Sequence, residues 1–262
     1  MFKRMISAVI GVPLLLWITW LGGWYLAVLI GVLSLLALKE YLEIGEKAGL
    51  ISNKKGILLF FLVWIGVFYS GYEISIITLV LFWFLFTFGK FAVSYPEISL
   101  QEASYGFMAS IYPLTFLSLL YLLRNQPDGL IWCFYVFFLV WITDSGAYFT
   151  GMMIGKRKLA PRVSPNKSVE GALGGLVASL VLGIVFWVIT AKASLVFFLL
   201  ISLVGSIASQ IGDLFESALK RSAGIKDSGN IIPGHGGVLD RFDSFMFAIP
   251  VVYFAVTMGL MR

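Results

Sequence analysis

The sequence predicts an all-α polytopic membrane protein with about nine transmembrane helices, an N-terminus in the cytoplasm and a C-terminus outside. Three observations support this prediction. Hydrophobic residues make up 60% of the chain and charged residues only 13%, whereas a soluble domain is about half apolar and a quarter charged. Several apolar windows are long enough to span a bilayer. The basic residues fall mainly on one side of the resulting topology.

Nine apolar windows account for the predicted helices, because a span needs about 17–25 residues. They cover roughly residues 5–21, 24–42, 56–72, 74–92, 104–123, 129–154, 170–190, 193–219 and 242–261. The turns at Gly22-Gly23 and Gly71-Tyr72-Glu73 are tight, so helices one and two, and helices three and four, are predicted to form antiparallel hairpins. The basic start resembles a signal peptide, but no cleavage site follows, and we expect an uncleaved first helix.

Sixteen of the nineteen lysine and arginine residues lie on one side of this topology, and that side is predicted to be cytoplasmic. Only Arg124, Lys192 and Arg262 fall on the other side. We expect a hydrophobic scaffold of about five helices over residues 1–125 and a catalytic membrane half of about four helices over 126–262. The turn-rich loop Asn125–Gly129 separates the two. The single cysteine, Cys133, excludes an intrachain disulfide and is interpreted as packing.

Helix eight carries a polar stripe on an otherwise apolar segment. Its members are three or four residues apart and therefore line one helix face; they are Ser202, Ser206, Ser209, Asp213, Glu216 and Lys220. Asp213 and Glu216 point the same way, and their carboxylates repel each other unless a cation lies between them. The simpler alternative is a helix end whose acids pair with nearby lysine or arginine residues.

A second acidic pair, Asp240 and Asp243, lies at the start of helix nine with Arg241 between its members. In a purely structural interpretation, Asp240 is an N-cap and Asp243 a first-turn residue that favours the helix dipole. Together with Asp213 and Glu216, however, the pair brings four carboxylates to one membrane face. Hard oxygen ligands suit Mg²⁺ better than zinc or copper. The four acids therefore predict a magnesium site.

A glycine-rich segment, Ile232–Gly237, lies between the two acidic pairs and contains Gly234, His235, Gly236 and Gly237. Backbone N–H groups of such segments approach anions closely, although a glycine-rich run alone is more often a turn. Here it predicts a site for a metal-bound polyphosphate, because four basic residues lie nearby: Lys220, Arg221, Lys226 and Arg241. His235, the only histidine, is interpreted as a phosphate hydrogen-bond donor, with a base or a loop brace as alternatives.

Asp144 lies inside the apolar run of helix six, where an acidic residue is a functional candidate because its burial in lipid is costly. The alternative is a buried hydrogen bond to a neighbouring helix. Ala147, Gly151 and Gly155 follow at four-residue spacing and predict close helix packing.

The basic loop after helix six serves partly to anchor the chain at the membrane face. Its last part, Ser164–Ser168, is followed by Glu170 and Gly171. This pattern also predicts a helix start whose N–H groups, together with Lys167, hold a phosphate.

Two parts of the sequence resemble the bacterial phosphatidate cytidylyltransferases, also called CDP-diacylglycerol synthases. The stretch from Ser217 to Asp243, SALKRSAGIKDSGNIIPGHGGVLDRFD, fits the signature of that family throughout. The upstream pattern of the family is matched by Asp144-Ser145, Tyr148, Gly155-Lys156 and Ser164-Pro165-x-Lys167-Ser168-x-Glu170-Gly171. Asn166 and Ser168 are mild departures from that pattern. The clear match covers about residues 140–250, and helices one to five match only in hydrophobic character.

The resemblance implies a Mg²⁺-dependent enzyme of the bacterial inner membrane that converts CTP and phosphatidic acid into CDP-diacylglycerol and pyrophosphate. It also implies a nine-helix homodimer whose polar cavity faces the cytoplasm and opens to the lipid bilayer, and we expect no nucleic-acid partner. The acceptor is a phosphate monoester, whose second pKa of about 6 leaves it ionised near neutral pH. The reaction therefore needs positioning and charge neutralisation rather than a general base.

Under this resemblance, Asp213, Asp240 and Asp243 are expected to bind the metal, with Glu216 in support. The expected phosphate-binding groups are the cations of Lys220, Arg221 and Arg241 and the backbone of Gly234–Gly237. Near the lipid phosphate we expect Asp144, Lys167 and Ser164, with a second, monovalent cation left open.

Three other functions fit parts of the sequence. A CTP-dependent lipid kinase has the same nucleotide and membrane needs but releases CDP instead of pyrophosphate. A related transferase acting on an unsaturated archaeal ether lipid differs only in its acceptor. An ion-coupled transporter also places carboxylates in a membrane cavity, but transporters usually contain paired repeats, and this sequence shows none.

Overall fold

The computed structural model describes residues 2–51, 55–69, 76–231 and 236–259. Within these ranges the chain forms nine helices: α1 (Phe2–Leu21), α2 (Gly23–Lys47), α3 (Lys55–Tyr69), α4 (Ile76–Val93), α5 (Leu100–Arg124), α6 (Gly129–Ile154), α7 (Val169–Thr190), α8 (Leu195–Ser222) and α9 (Leu239–Thr257). Each predicted apolar window falls on one of these helices. The predicted helical class is therefore confirmed.

Five of the described helices, α2, α5, α6, α7 and α8, are long and apolar enough to cross a membrane. Shorter apolar stretches occupy Val9–Leu21, Gly56–Gly66 and Thr78–Val93. The last helix, α9, is 19 residues long and has acidic and basic side chains in its first turns. These helices support a multi-pass membrane protein, while the count of nine spans and the positions of the two termini stay predictions.

A small β-hairpin departs from the all-α prediction. Strand β1 (Lys158–Ala160) pairs antiparallel with β2 (Ser164–Ser168). The helix start predicted at the end of this segment is confirmed, since α7 begins at Val169, but Ser164–Ser168 itself forms a strand. Pro165 has no N–H group and fixes an extended neighbour before it, which suits a strand better than a helix interior. Only Ser168 takes part in the helix start, as the N-cap of α7: its Oγ accepts a hydrogen bond from Gly171 N at 3.1 Å.

Helices α6 and α7 lie close together because small residues face each other across their interface. A Cβ added at Gly171 would lie 2.7 Å from the carbonyl oxygen of Ala147, and one added at Gly175 would lie 2.8 Å from that of Thr143. Gly151 also faces α7, since its added Cβ would lie 3.6 Å from Gly171 Cα. The close packing predicted for this face of α6 is therefore confirmed.

The polar stripe of α8 faces inward, as its spacing predicts. Ser202, Ser206 and Ser209 are fully buried, and α6 supplies partners for the first two. Tyr135 Oη lies 2.7 Å from Ser202 Oγ, and Thr143 Oγ1 donates to Ser206 Oγ at 3.1 Å. These hydrogen bonds fix the rotation of α8 about its axis, and this rotation determines where the acidic residues further along the same stripe point.

Helices α5, α8 and α9 meet at an aromatic cluster. The ring of Tyr112 packs edge-on against Phe215 of α8 at 5.0 Å and against Phe247 of α9 at 5.9 Å between ring centres. Tyr112 belongs to a π-helical turn of α5, Ser110–Thr115. This turn contains Pro113, which lacks the N–H group of a regular helical hydrogen bond. Buried residues of both predicted halves thus share one continuous core, and the division near residue 125 stays a prediction about function.

Gly212 of α8 lies directly against the backbone of α9, and we predict that an alanine there destabilises the fold. An added Cβ would lie 2.5 Å from Asp243 O, so α8 and α9 have to move apart. Overpacking of this kind costs about 1–3 kcal/mol. We expect Gly212→Ala to lower the thermal midpoint of the purified protein in detergent. The matched control is Gly89→Ala in α4, where an added Cβ meets nothing within 4 Å. Equal midpoints for the two variants would contradict the proposed contact.

Candidate active site

A cavity of about 770 Å³ lies between α1, α2, α6, α8 and α9 and the loop that precedes α9. One side of it is polar and is formed by the ends of α8 and α9 together with the middle of α6. The acidic residues on that side are Asp144, Asp213, Glu216, Asp227, Asp240 and Asp243, and the basic ones are Lys220, Arg221, Lys226 and Arg241. The cavity therefore gathers most of the side chains that the sequence singled out.

Lys220 holds two of the carboxylates. Its Nζ lies 2.7 Å from Glu216 Oε2 and 2.5 Å from Asp240 Oδ1. Glu216 is fully buried, and Lys220 is 9% exposed. For Glu216 the structure agrees with the simpler alternative, in which an acid at the helix end pairs with a lysine one turn away. The ammonium group of Lys220 is thus already shared between two protein carboxylates.

The second carboxylate oxygen of Asp240 is also occupied by the protein. Its Oδ2 accepts hydrogen bonds from Ser228 N at 2.9 Å, Ser228 Oγ at 2.9 Å and Gly237 N at 2.8 Å. Asp240 is not the N-cap of α9, because the helix begins at Leu239 and the N-cap is Val238, which has no capping side chain. The structural alternative for Asp240 is therefore wrong in its detail: this residue holds the loop in front of the helix.

The other acidic residues form a separate group. Asp213 Oδ2 lies 2.5 Å from Nζ of Lys167, which reaches α8 from the β-hairpin. Asp243 Oδ1 accepts from its neighbour Ser244 N at 2.7 Å and lies within electrostatic range of Asp213 and Asp144. Asp144 lines the cavity and part of its surface is exposed there, which favours a functional role over the alternative of a buried hydrogen bond. Three carboxylates from α6, α8 and α9 therefore face the same space.

The four acids expected to share one metal ion thus divide into two sets. Glu216 and Asp240 are bound to Lys220, whereas Asp213 pairs with Lys167 and interacts electrostatically with Asp144 and Asp243. Among the described residues, no three histidine, cysteine or acidic side chains are arranged closely enough to hold an ion as they stand. The donor chemistry still fits Mg²⁺, since Asp144, Asp213 and Asp243 offer hard oxygen ligands and no sulfur or imidazole.

The residues predicted to bind phosphate lie partly at the cavity and partly in the loop before α9. Arg221 lines the cavity and donates from Nη1 to Ile225 O at 3.0 Å, and Arg241 is exposed at its wall. Gly236 has a φ of 84°, which favours glycine, and Gly237 is buried behind Asp240. Gly234 and His235 lie outside the described residues, so their predicted roles stay predictions.

Glu170 holds the β-hairpin against the start of α7. Its Oε2 accepts from Lys156 N at 3.0 Å and Arg157 N at 3.1 Å, and its Oε1 from Arg157 Nε at 3.2 Å. This arrangement places β2, and with it Lys167, beside α8. Ser164 lies at the other end of β2, where it is half-buried and pairs in register with Ala160. The hairpin therefore brings Lys167 to the acidic group but does not bring Ser164 to it.

The sequence interpretation missed two residues at this site, Glu40 and Ser228. Glu40 belongs to α2, is 2% exposed, and accepts hydrogen bonds from Ser228 Oγ at 3.0 Å, Val238 N at 3.0 Å and Leu239 N at 2.8 Å. A signal was present, because Glu40 is an acidic residue inside an apolar window and such residues are costly in lipid. Its partners, however, lie almost two hundred positions further along the chain.

The residues that α1 and α2 contribute to the cavity are all apolar: Gly11, Val12, Leu14 and Leu15 of α1, and Leu29 and Leu33 of α2. The aromatic rings of Trp141, Phe242 and Phe245 add to the apolar lining. A molecule that fills this cavity therefore meets charged groups from α6, α8 and α9 and hydrocarbon from α1 and α2. The arrangement therefore suits an amphiphile with an anionic head group, and it offers oxygen ligands and cations close to that head group.

Comparison with known proteins agrees with this chemistry. The model of the cytidylyltransferase family matches residues 2–258. The phosphatidate cytidylyltransferase of Bacillus subtilis (strain 168) is 38% identical over 98% of this chain and 98% of its own. Enzymes of the same name from Staphylococcus haemolyticus (strain JCSC1435) and Staphylococcus aureus (strain COL) are 36% and 35% identical, each over 95% of this chain and 96% of its own.

Both the full-length family match and the identity to these relatives show the family. The chain belongs to the cytidylyltransferase family and is a nucleotidyltransferase.

Proposed function

We propose that the protein transfers the cytidylyl group of CTP to phosphatidic acid, forming CDP-diacylglycerol and releasing pyrophosphate. The observation that carries this proposal is the mixed lining of the cavity, in which the charged groups of α6, α8 and α9 suit phosphates and the apolar residues of α1 and α2 suit an acyl chain. The names of the relatives agree with it, since they are phosphatidate cytidylyltransferases similar to this chain over nearly its full length.

In the proposed reaction a phosphate oxygen of phosphatidic acid attacks the α-phosphorus of CTP. The new P–O bond forms as the bond to the β-phosphate breaks, and pyrophosphate leaves with the electron pair. The attacking oxygen is already ionised near neutral pH, so the protein has no proton to remove. Its residues have to align the two substrates and stabilise the charge that develops during transfer.

Mg²⁺ is part of this proposal, with Asp213 and Asp243 as its ligands and Asp144 beside them. When bound, the ion neutralises phosphate charge and helps to orient the departing pyrophosphate. Lys167 and Arg241 supply positive charge on either side of these carboxylates. Lys220 keeps Glu216 and Asp240 in place behind them, which is a positioning role rather than the direct phosphate contact expected from the sequence.

We also propose that the cavity faces the cytoplasm of a bacterial inner membrane and that the chain forms a homodimer. The distribution of basic residues supports the orientation. Lys192, predicted to lie outside, pairs with Asp128 at 3.0 Å, and Arg124 donates to the carbonyl groups of Thr19 and Trp20 at the same end of the bundle. The lysine and arginine residues of the cavity lie at the opposite end of α8 from Lys192, where α8 ends and α9 begins.

The reaction itself is tested by its products. Purified protein in detergent, supplied with labelled CTP and phosphatidic acid, is expected to form liponucleotide and pyrophosphate in equal amounts. Chelation of divalent cations should stop the reaction, and added Mg²⁺ should restore it. Release of CDP with phosphorylation of a lipid alcohol would establish a lipid kinase instead. Substrate flux into sealed vesicles without CTP would indicate a transporter.

Replacement of Asp243 tests the proposed metal ligands. Asp243→Asn keeps an oxygen that can accept from Ser244 N but removes the charge. Loss of a metal ligand removes several kcal/mol of transition-state stabilisation, so we expect turnover to fall by about 10³-fold with the protein still folded. The control is Asp128→Asn, which removes a carboxylate at the other end of the bundle where the left-handed backbone tolerates asparagine. Normal turnover in Asp243→Asn would contradict the assignment.

A larger side chain at Gly11 tests the apolar wall. Gly11 lines the cavity, and an added Cβ there meets nothing within 4 Å, so Gly11→Trp fills space that the proposal gives to an acyl chain. We expect the KM for phosphatidic acid to rise roughly tenfold, equivalent to about 1.4 kcal/mol of lost binding, while the KM for CTP stays constant. Val9→Trp is the control, because Val9 is 69% exposed on the same helix and does not line the cavity. Equal KM values for the two variants would place the acyl chain elsewhere.

A further inference from the structure

Glu40 connects the first part of the chain to the start of α9. Both of its carboxylate oxygens are used: Oε1 accepts from Val238 N, and Oε2 accepts from Leu239 N and Ser228 Oγ. The first N–H groups of a helix have no partner within the helix. Val238, the N-cap of α9, supplies no side-chain acceptor. Glu40 therefore accepts hydrogen bonds from the N–H groups of the N-cap residue and of the first residue of α9, and it does so from another helix.

The charge of Glu40 suits this position. A helix N-terminus carries a partial positive charge, and a carboxylate placed there is stabilised. Glu40 is buried, so its interaction with the N–H groups is little screened by water. The cap is consequently a strong restraint on the position of the first turn of α9, which carries Asp240 and leads directly to Asp243.

Glu40 also lies against the backbone at two glycines, Gly229 and Gly237. An added Cβ at Gly229 would lie 2.7 Å from Glu40 Oε1, and one at Gly237 would overlap Glu40 Oε2 and Ser228 Oγ. Only glycine allows the backbone on both sides to approach the carboxylate this closely. Gly229 and Gly237 are thus both held against a single side chain.

Ser228 couples Glu40 to Asp240. Its Oγ lies 3.0 Å from Glu40 Oε2 and 2.9 Å from Asp240 Oδ2. A hydroxyl group has only one hydrogen, so the two carboxylates share one donor. The chain of contacts continues from Asp240 to Lys220 and from there to Glu216. A displacement of Glu40 is therefore transmitted to the acidic pair at the start of α9.

We propose that Glu40 is a positioning residue for nucleotidyl transfer, which caps α9 from α2 and so holds Asp240 and Asp243 in their working geometry. This inference rests on the proposed function for its kinetic consequence. Its structural part, the cap on α9, rests on the hydrogen bonds alone. The first half of the chain then contributes a residue to the catalytic arrangement rather than only a scaffold.

Glu40→Gln is the most informative variant. The amide has nearly the same shape, but its NH₂ group has to face either Val238 N–H or Leu239 N–H, so one buried donor loses its acceptor. We expect kcat to fall about 10–100-fold while the KM for CTP and that for phosphatidic acid change little, because Glu40 lines no part of the cavity. Amide hydrogen exchange at residues 237–241 should accelerate roughly tenfold.

The matched control is Glu43→Gln, which removes an acidic group one turn further along α2. Glu43 is partly exposed and pairs with Lys39 at 4.0 Å, far weaker than the contacts of Glu40. This control should keep the kcat and the exchange rates of the wild type. Glu40→Asp retains the charge, so its kcat should lie between that of Glu40→Gln and that of the wild type. If Glu40 only filled space, Glu40→Asp should have a lower kcat than Glu40→Gln, because its side chain is shorter.

If Glu40→Gln does not fold, Ser228→Ala serves instead: it separates Glu40 from Asp240 without touching the cap, and we expect a smaller fall in kcat and no change in exchange at Leu239. A wild-type kcat or wild-type exchange rates in Glu40→Gln would overturn the proposal. If the wild type itself forms no CDP-diacylglycerol, the proposed function fails, and the exchange rates still decide whether Glu40 caps α9.

Discussion

The ion cluster around Lys220 is the interaction on which the site depends. A buried ion costs several kcal/mol in an interior of low dielectric constant, and loss of one partner from a buried pair typically costs about 3–5 kcal/mol. Lys220 and Glu216 belong to α8, and Asp240 belongs to α9, so the cluster joins the two helices. It restrains the rotation of α9, and this rotation decides whether Asp243, three residues further on, faces the cavity.

The DRFD segment, Asp240–Asp243, consequently carries two acids with different tasks. Asp240 accepts from Lys220, from both the backbone and the hydroxyl group of Ser228, and from Gly237. Asp243 accepts from Ser244 N and otherwise faces the carboxylates of other helices. Because Asp240 accepts four hydrogen bonds from the protein, its carboxylate has little capacity left to bind a ligand. The carboxylate of Asp243 retains that capacity. The spacing of three residues lets one helix turn hold a structural acid and a ligand-binding acid together.

Much of the fold could be predicted from the sequence because the determining forces are local. An apolar window long enough to cross a bilayer specifies a helix, since unpaired backbone groups are too costly in hydrocarbon. The stripe from Ser202 to Lys220 specifies the inward face of α8 for the same reason. The hairpin at Lys158–Ser168 escaped prediction because its short strands carry charged and proline residues, which are typical of loops.

The division of the four acids could not be predicted, because it depends on contacts between distant parts of the chain. Residue type and spacing make Asp240 and Asp243 equivalent, and the positions of Lys220, Ser228 and Gly237 distinguish them. Glu40 illustrates the same limit more strongly. A lone glutamate in an apolar helix indicates a buried polar contact, but nothing local to α2 identifies the start of α9 as its partner.

The charge balance of the cavity explains why so many acids lie where two anionic substrates are proposed to meet. Lys220 compensates Glu216 and Asp240, whereas Asp144, Asp213 and Asp243 lie together with Lys167, which pairs with Asp213, and these three carboxylates are the ones proposed to act on a ligand. CTP and phosphatidic acid both carry several negative charges, and such carboxylates would repel them in a medium of low dielectric constant. An acidic cavity suits these substrates only if the acids hold cations between the two phosphates. The protein then has to keep the acids fixed against their mutual repulsion, and the clusters at Lys220 and Glu40 are placed where that restraint is needed.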